Sequence, residues 1–314
     1  MSAALLPDGG WPVMLTPFRD DRSIDDDAVD AYTDWLIELG SAGLFANALS
    51  SEMYDLSAAE RDRLARRVVA RAAGRVPVVA SSPVGGSPEQ QADAVAAVAA
   101  TGVDAVVLIS SQLAPLDASE RDVLHAVEVI IARNPGVDLG VYECPLPFKR
   151  LPSLDVVRAW AATGAFTFYK DTSHSVPVMT ARLEAINGSR MKLYNAAIGS
   201  LTPSLRAGAS GLSGYAANIY PDLVAWLCRN YDTPGVETQA VAIQRLLTMA
   251  EHAVNLRYPT SAKYFLQHSS RLDFAAISRW KPEVIGAHEG LPLEEFAAYV
   301  RDLDLPDGAL AAAR

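Results

Sequence analysis

The stretch VPVVASSPVGGSPEQQADAVAAVAATGVDAVVLIS, residues 76–110, carries one structural unit. It opens and closes on short apolar, β-branched runs, VPVVASS (76–82) and DAVVLIS (104–110). Both are too continuous for strands with one face in water. Between them, Ser87 followed by Pro88 marks a helix start, with proline at the first helical position. Gly102 sits where that helix should stop. A buried strand, a helix and a second buried strand in succession predict a parallel crossover unit.

The same alternation runs outward in both directions. Strand-like runs occur at WPVMLTPF (11–18), AGLFANA (42–48), DLGVYEC (138–144), AFTFYK (165–170), KLYNAA (192–197) and SGLSGY (210–215). Helical spacing fills the gaps: Val29, Tyr32, Trp35, Leu36 and Leu39 share one face, and Gly40 follows as a stop. Ser57 with Glu60 three residues later is a capping-box start. Eight strands, each followed by a helix, predict a TIM (β/α)8 barrel over residues 1–232. Helical patterns at 236–256, 259–269 and 292–304 predict an all-helical C-terminal extension over 233–314. An open doubly wound sheet is the alternative, but no glycine-rich phosphate fingerprint follows the first strand.

Composition narrows the function. The 314 residues are 50% hydrophobic and 20% charged, with a formal net charge of −10. No Lys/Arg cluster stands out, which argues against nucleic acid as a partner. No run of about 18 apolar residues predicts a membrane span. The opening MSAALLPDGGW lacks the pattern of a signal peptide, and two cysteines, Cys144 and Cys228, make no disulfide framework. No Cys/His spacing suggests a metal site, and a reducing cytoplasm is the expected compartment.

Barrel active sites lie at the C-terminal ends of the strands. Those ends supply Thr16, Ser50, Ser51, Glu52, Ser110, Ser111, Tyr142, Lys170, Asn195 and Ser213. Lys170 closes the apolar run in FTFYKDTSH (166–174) and is one of only five lysines, with Lys149, Lys192, Lys263 and Lys281. A lysine in an apolar mouth favours its neutral amine, a nucleophile that forms a Schiff base with a carbonyl. The iminium is an electron sink, so a nearby C–C bond can break or form without metal or cofactor. Tyr142 is the candidate proton carrier, and the Ser50–Ser51 turn is a candidate cradle for a carboxylate. The plainer alternatives are a surface or ion-paired lysine, a packing tyrosine and an ordinary helix start.

Five motifs in order give the chain a resemblance to the dihydrodipicolinate synthase/N-acetylneuraminate lyase family, the pyruvate-type class I aldolases. They are WPVMLTPFRDDRSIDDDAV, ALSSEMYDLSAAER, VYECP, YKDTS and GLSGYAAN, with 28 residues from Tyr142 to Lys170. The resemblance implies that Lys170 forms an imine and that Tyr142 relays protons. It also implies that Ser50 and Ser51 hold a pyruvate carboxylate, Ser213 lines the floor and Glu52 orders the loop. It further implies a homo-oligomer, either tetramer or dimer.

The departures bear on the substrate. Leu49 stands where the family carries Thr or Ser in the relay, and leucine makes no hydrogen bond. ISSQLAP lacks the second tyrosine of the synthases, and PLPFKR places Lys149 and Arg150 two or three residues after their arginine position. NAAIGS carries none of the acidic residues with which sialic acid lyases bind sugar hydroxyls. With Leu49, Ala196, Ala197 and Ile198, and with Phe148 or Met53 as further candidates, the pocket beyond the imine reads as less polar than in either kind of enzyme. The expectation is a 2-oxo acid aldolase or lyase with a largely apolar or aromatic aldehyde partner. The alternatives are an imine-dependent hydratase-aldolase, dehydratase or decarboxylase, and a catalytically weak 2-oxo acid-binding barrel. Asp171 is expected to point away from Lys170, His174 to be solvated or capping, and Cys144 to be structural.

Overall fold

The computed structural model describes residues 5–303 and 305, except 274. Eight parallel strands run in the order β1-β8-β7-β6-β5-β4-β3-β2. They are β1 (Gly9–Gly10), β2 (Leu44–Phe45), β3 (Val78–Ser82), β4 (Ala105–Ile109), β5 (Leu139–Tyr142), β6 (Phe166–Asp171), β7 (Lys192–Asn195) and β8 (Gly211–Leu212). A parallel bridge between Val13 and Phe45 joins the two ends of that order, so the sheet closes as a TIM (β/α)8 barrel. Helices α1 (Asp26–Glu38), α2 (Ala58–Ala72), α3 (Pro88–Ala99), α4 (Glu120–Arg133), α5 (Leu154–Ala162), α6 (Val176–Ala185) and α7 (Leu201–Arg206) connect successive strands. After β8 come α8 (Ala216–Ile219), α9 (Pro221–Asn230), α10 (Glu237–Val254), α11 (Thr260–Ser269) and α12 (Ala287–Asp302).

Local chemistry sets these boundaries. The Ser57 hydroxyl accepts from the Glu60 N–H at 3.2 Å while Glu60 Oε2 accepts from the Ser57 N–H at 2.8 Å, the reciprocal pair that starts α2. Ser87 and Gln90 repeat it at α3. The first and last strands are shorter than 11–18 and 210–215 predict. Pro12 and Pro17 have no N–H, so that segment joins the barrel through isolated contacts, a bridge from Val13 to Phe45 and a Trp11 N–H bond to Leu212, instead of a continuous strand. β1 and β8 also approach closely enough that a Cβ on Gly211, whose φ is +149°, would lie 1.9 Å from the Gly9 carbonyl oxygen. α12 starts five residues before the expected 292, because Gly286 and Glu289 cap it and Pro292 is carried inside. Residue 304 of the expected helix lies outside the described residues. Among the described residues no helix is long and apolar enough to cross a membrane.

Strand alternation sorts the side chains into two layers. Trp11, Phe45, Val107, Tyr142, Phe168 and Tyr194 fill the barrel interior, with the Trp11 and Phe168 rings 5.2 Å apart. Leu, Val and Ile from the outer strand faces pack under the helices, and the largest such cluster runs on into α10, α11 and α12. The extension is pinned to the barrel by charge as well. Lys263 of α11 and Glu52, both fully buried, pair at 2.7 Å. Glu52 also accepts from the Ser278 hydroxyl (2.9 Å) and the N–H groups of Arg279 (2.6 Å) and Trp280 (2.9 Å). Glu52→Gln would leave the Lys263 ammonium buried without its counter-charge. Denaturant titration should show a loss of about 3–5 kcal/mol. A change below about 1 kcal/mol would show that this pair does not hold the extension in place.

Candidate active site

Register brings Tyr142 and Lys170 together. They are direct partners across β5 and β6, and both face inward at the C-terminal end of the barrel. Lys170 Nζ lies 4.2 Å from the centroid of the Tyr142 ring and 5.8 Å from that of Phe45. The residue is 4% exposed. Desolvation pulls its ammonium down to about 7, against weaker support for the charge from Cys144 and Glu251. A useful fraction is therefore neutral amine near neutral pH. Burial acts oppositely on Tyr142, whose phenol is held well above its ordinary value and stays protonated.

The outward neighbours are locked. Arg182 of α6 pairs with Glu143 at 2.7 Å and with Asp171, all three buried. Glu143 accepts from the Tyr169 hydroxyl and the Thr172 N–H, each at 2.7 Å. Desolvation raises the Glu143 carboxyl to about 7, with Arg182 opposing. Asp171 thus points away from Lys170, as alternation predicts. The network fixes the strand ends that carry the pair.

A cavity of about 290 Å³ opens above Lys170. Its walls include Leu49, Tyr142, Pro145, Ala196 and Gly214 on one side of its chemistry and Lys149, Thr172, His174, Glu251 and Asn255 on the other. Of the residues expected there, Lys170, Tyr142, Leu49 and Ala196 are brought together. Ser51 is not. Its hydroxyl donates to the backbone oxygens of Met14 (2.6 Å) and Ala46 (2.8 Å), and its N–H bonds to Ala48. Ile198 is buried under α10 in the outer core, because its turn packs against that helix, and Met53 is fully buried. Ser50 faces the Tyr258 hydroxyl. The buried Ser213 hydroxyl has no hydrogen-bond partner among the described residues. Beyond Lys170 the wall mixes Leu49, Pro145 and Ala196 with Lys149, His174, Glu251 and Asn255, more polar than the sequence suggests. His174 reaches this wall, where burial and Lys149 lower its imidazolium. Cys144 is buried beside Tyr142, and burial raises its thiol, which removes thiolate character.

Glu251, Asn255 and Tyr215 were missed. Glu251 had a signal: it falls on the same face of α10 as buried Ile243, Leu247 and Val254, a carboxylate within an apolar stripe. Among the described residues no group of three or more His, Cys, Asp or Glu side chains is placed to hold a metal ion.

The fold and site are those of a (β/α)8 barrel with a buried lysine at the C-terminal mouth. Residues 7–272 match the model of the dihydrodipicolinate synthetase family, and the chain belongs to that family. It is an enzyme of the family's lyase and aldolase type. It is similar to an uncharacterized DapA-like lyase of Halobacterium salinarum, 32% identical over 227 residues, 71% of this chain and 72% of the relative. A probable 5-dehydro-4-deoxyglucarate dehydratase of Methylobacterium radiotolerans is 29% identical over 234 residues, 74% of this chain and 73% of that one. The fold matches a dihydrodipicolinate synthase from Bacillus anthracis with a TM-score of 0.84 at 21% identity, over 96% of this chain and all of the other.

The depressed Lys170 value has a direct readout. Acylation with limiting acetic anhydride, mapped by peptide mass spectrometry, should be half-maximal at Lys170 near pH 7. An ordinary lysine keeps gaining reactivity up to about 10.4. A Lys170 profile still rising above pH 9 would contradict the desolvated amine.

Proposed function

We propose that this enzyme forms a Schiff base between Lys170 and a small 2-oxo acid such as pyruvate, and makes or breaks a C–C bond at C3 with a carbonyl partner. The observation that carries the reading is the buried Lys170 amine facing Tyr142 in an open cavity. The neutral amine adds to the C2 carbonyl, and the carbinolamine loses its oxygen as water, which leaves an iminium. Loss of a C3 proton gives the enamine. Its C3 attacks the partner's carbonyl carbon, and the partner's oxygen takes up a proton. Cleavage is the reverse.

Each wall has a part in this scheme. Tyr142, kept protonated by burial, donates a hydrogen bond to the departing carbinolamine oxygen. With the hydroxyl and N–H of Ser51 already engaged, the substrate carboxylate falls to the N–H groups of Leu49 and Ser50 at the start of their turn. The unpartnered Ser213 hydroxyl is a further donor toward the floor. The partner lays an apolar body on Leu49, Pro145 and Ala196 and turns its oxygen toward Lys149, His174 and Asn255. A second reading is favoured by Glu251, whose carboxyl is raised to about 7 by burial. A near-neutral acid in the cavity suits protonation of a leaving hydroxyl, and one relative is named as a probable dehydratase.

Incubation with pyruvate and borohydride, followed by digestion and mass spectrometry, should place a reduced pyruvyl group on Lys170. Failure of pyruvate and other small 2-oxo acids to label it would end the imine reading. Tyr142→Phe should retain labelling but slow turnover by roughly 10²–10⁴-fold. An unchanged rate would remove Tyr142 from proton transfer.

A further inference from the structure

Five titratable groups line the cavity with Lys170: Tyr142, Lys149, His174, Tyr215 and Glu251. The imine chemistry needs a base for the C3 proton. A base is effective when its conjugate acid titrates near the working pH. Both phenols are raised by burial and hold their protons. Leu49 offers Tyr142 no hydrogen bond, and its onward neighbour is the Cys144 thiol, which also meets Tyr54.

Glu251 differs in geometry. It comes from α10, outside the strand-and-helix repeat, and reaches back over the barrel mouth. The Ala216 N–H at the start of α8 points toward its carboxyl group and favours the charged form. Its Oε2 is buried and has no hydrogen-bond partner among the described residues. A buried carboxylate oxygen without a partner carries a desolvation cost that favours its taking up a proton or a polar ligand. The groups facing it are Lys170 from β6 and Tyr215 beside α8, with Lys149 and His174 on the same cavity wall.

We infer that Glu251 is the base that takes the C3 proton from the Lys170 iminium and returns it in the reverse direction. The C3–H bond breaks, and its electron pair becomes the C2=C3 bond of the enamine. The iminium nitrogen becomes neutral, and the proton resides on Glu251 Oε2. The carboxyl's value of about 7 fits that exchange at neutral pH. The inference rests on the imine reading above, deepens it by assigning the proton transfer, and applies equally to aldol cleavage and dehydration.

The test uses pyruvate alone. The unaltered enzyme in D2O should exchange the methyl protons of pyruvate, followed by NMR, and pyruvate with borohydride should label Lys170. Glu251→Gln should keep the labelling, at the same pyruvate concentration for half-maximal effect, and lose about 10²-fold or more of the exchange. Glu251→Asp, which keeps a carboxylate, should recover part of it. Exchange by Glu251→Gln within about threefold of the unaltered enzyme would overturn the assignment. Loss of labelling along with exchange in both variants would also overturn it, since Glu251 would then support Lys170 rather than act at C3. Absence of labelling in the unaltered enzyme would instead overturn the imine reading itself.

Discussion

The site depends on burying one amine, Lys170, at the barrel mouth with no carboxylate bonded to it among the described residues. Lys170 lies one residue from the end of a strand whose inward Phe168 fills the barrel interior, and whose outward Tyr169 and Asp171 are tied to Glu143 and Arg182. A carboxylate bonded to Nζ would hold the lysine as an ammonium. The charged partners stand instead on the opposite face of the sheet, one residue away in sequence. The two-residue period of a strand is what separates Lys170 from the ion network beneath it. The aromatic faces of Tyr142 and Phe45 favour the charged form modestly, while burial favours the neutral form more.

A second consequence concerns the helical extension. α10 packs on the turn at residues 198–200 and carries Glu251 and Asn255 into the cavity, while α11 reaches Glu52 through Lys263. Glu52 closes the turn that holds Leu49, Ser50 and Ser51, with φ at +61°. The extension is thereby coupled to both ends of the substrate pocket: the turn proposed to hold the carboxylate and the wall proposed to meet C3. A buried ion pair of this kind adds little net stability compared with apolar packing. Its value here is geometric, fixing where a loop stands relative to the strand ends.

Much of this was legible in the sequence, for identifiable reasons. Buried parallel strands are continuous apolar runs, and serine caps with proline and glycine punctuation mark the helices between them, so the barrel and Lys170's place on it could be read directly. Strand ends at 11–18 and 210–215 were less legible, because proline spacing and the Gly9–Gly211 approach act through the neighbouring strand. The cavity was least legible. Ser51 looks like a ligand residue in a line of text, yet its hydroxyl is satisfied by the carbonyls of Met14 and Ala46, 37 and 5 residues away. Ile198 looked like a lining residue but is covered by a helix that starts about forty residues later. Glu251 joins Lys170 only through tertiary packing, and its trace in the sequence is a lone carboxylate in a helix's apolar stripe.

The most direct measurement is a crystal structure of the enzyme soaked with pyruvate. The account predicts continuous density between Lys170 Nζ and C2, with the substrate carboxylate at the Leu49–Ser50 turn and Glu251 facing C3. Pyruvate bound without a covalent link, or absent from this cavity while present elsewhere, would contradict it.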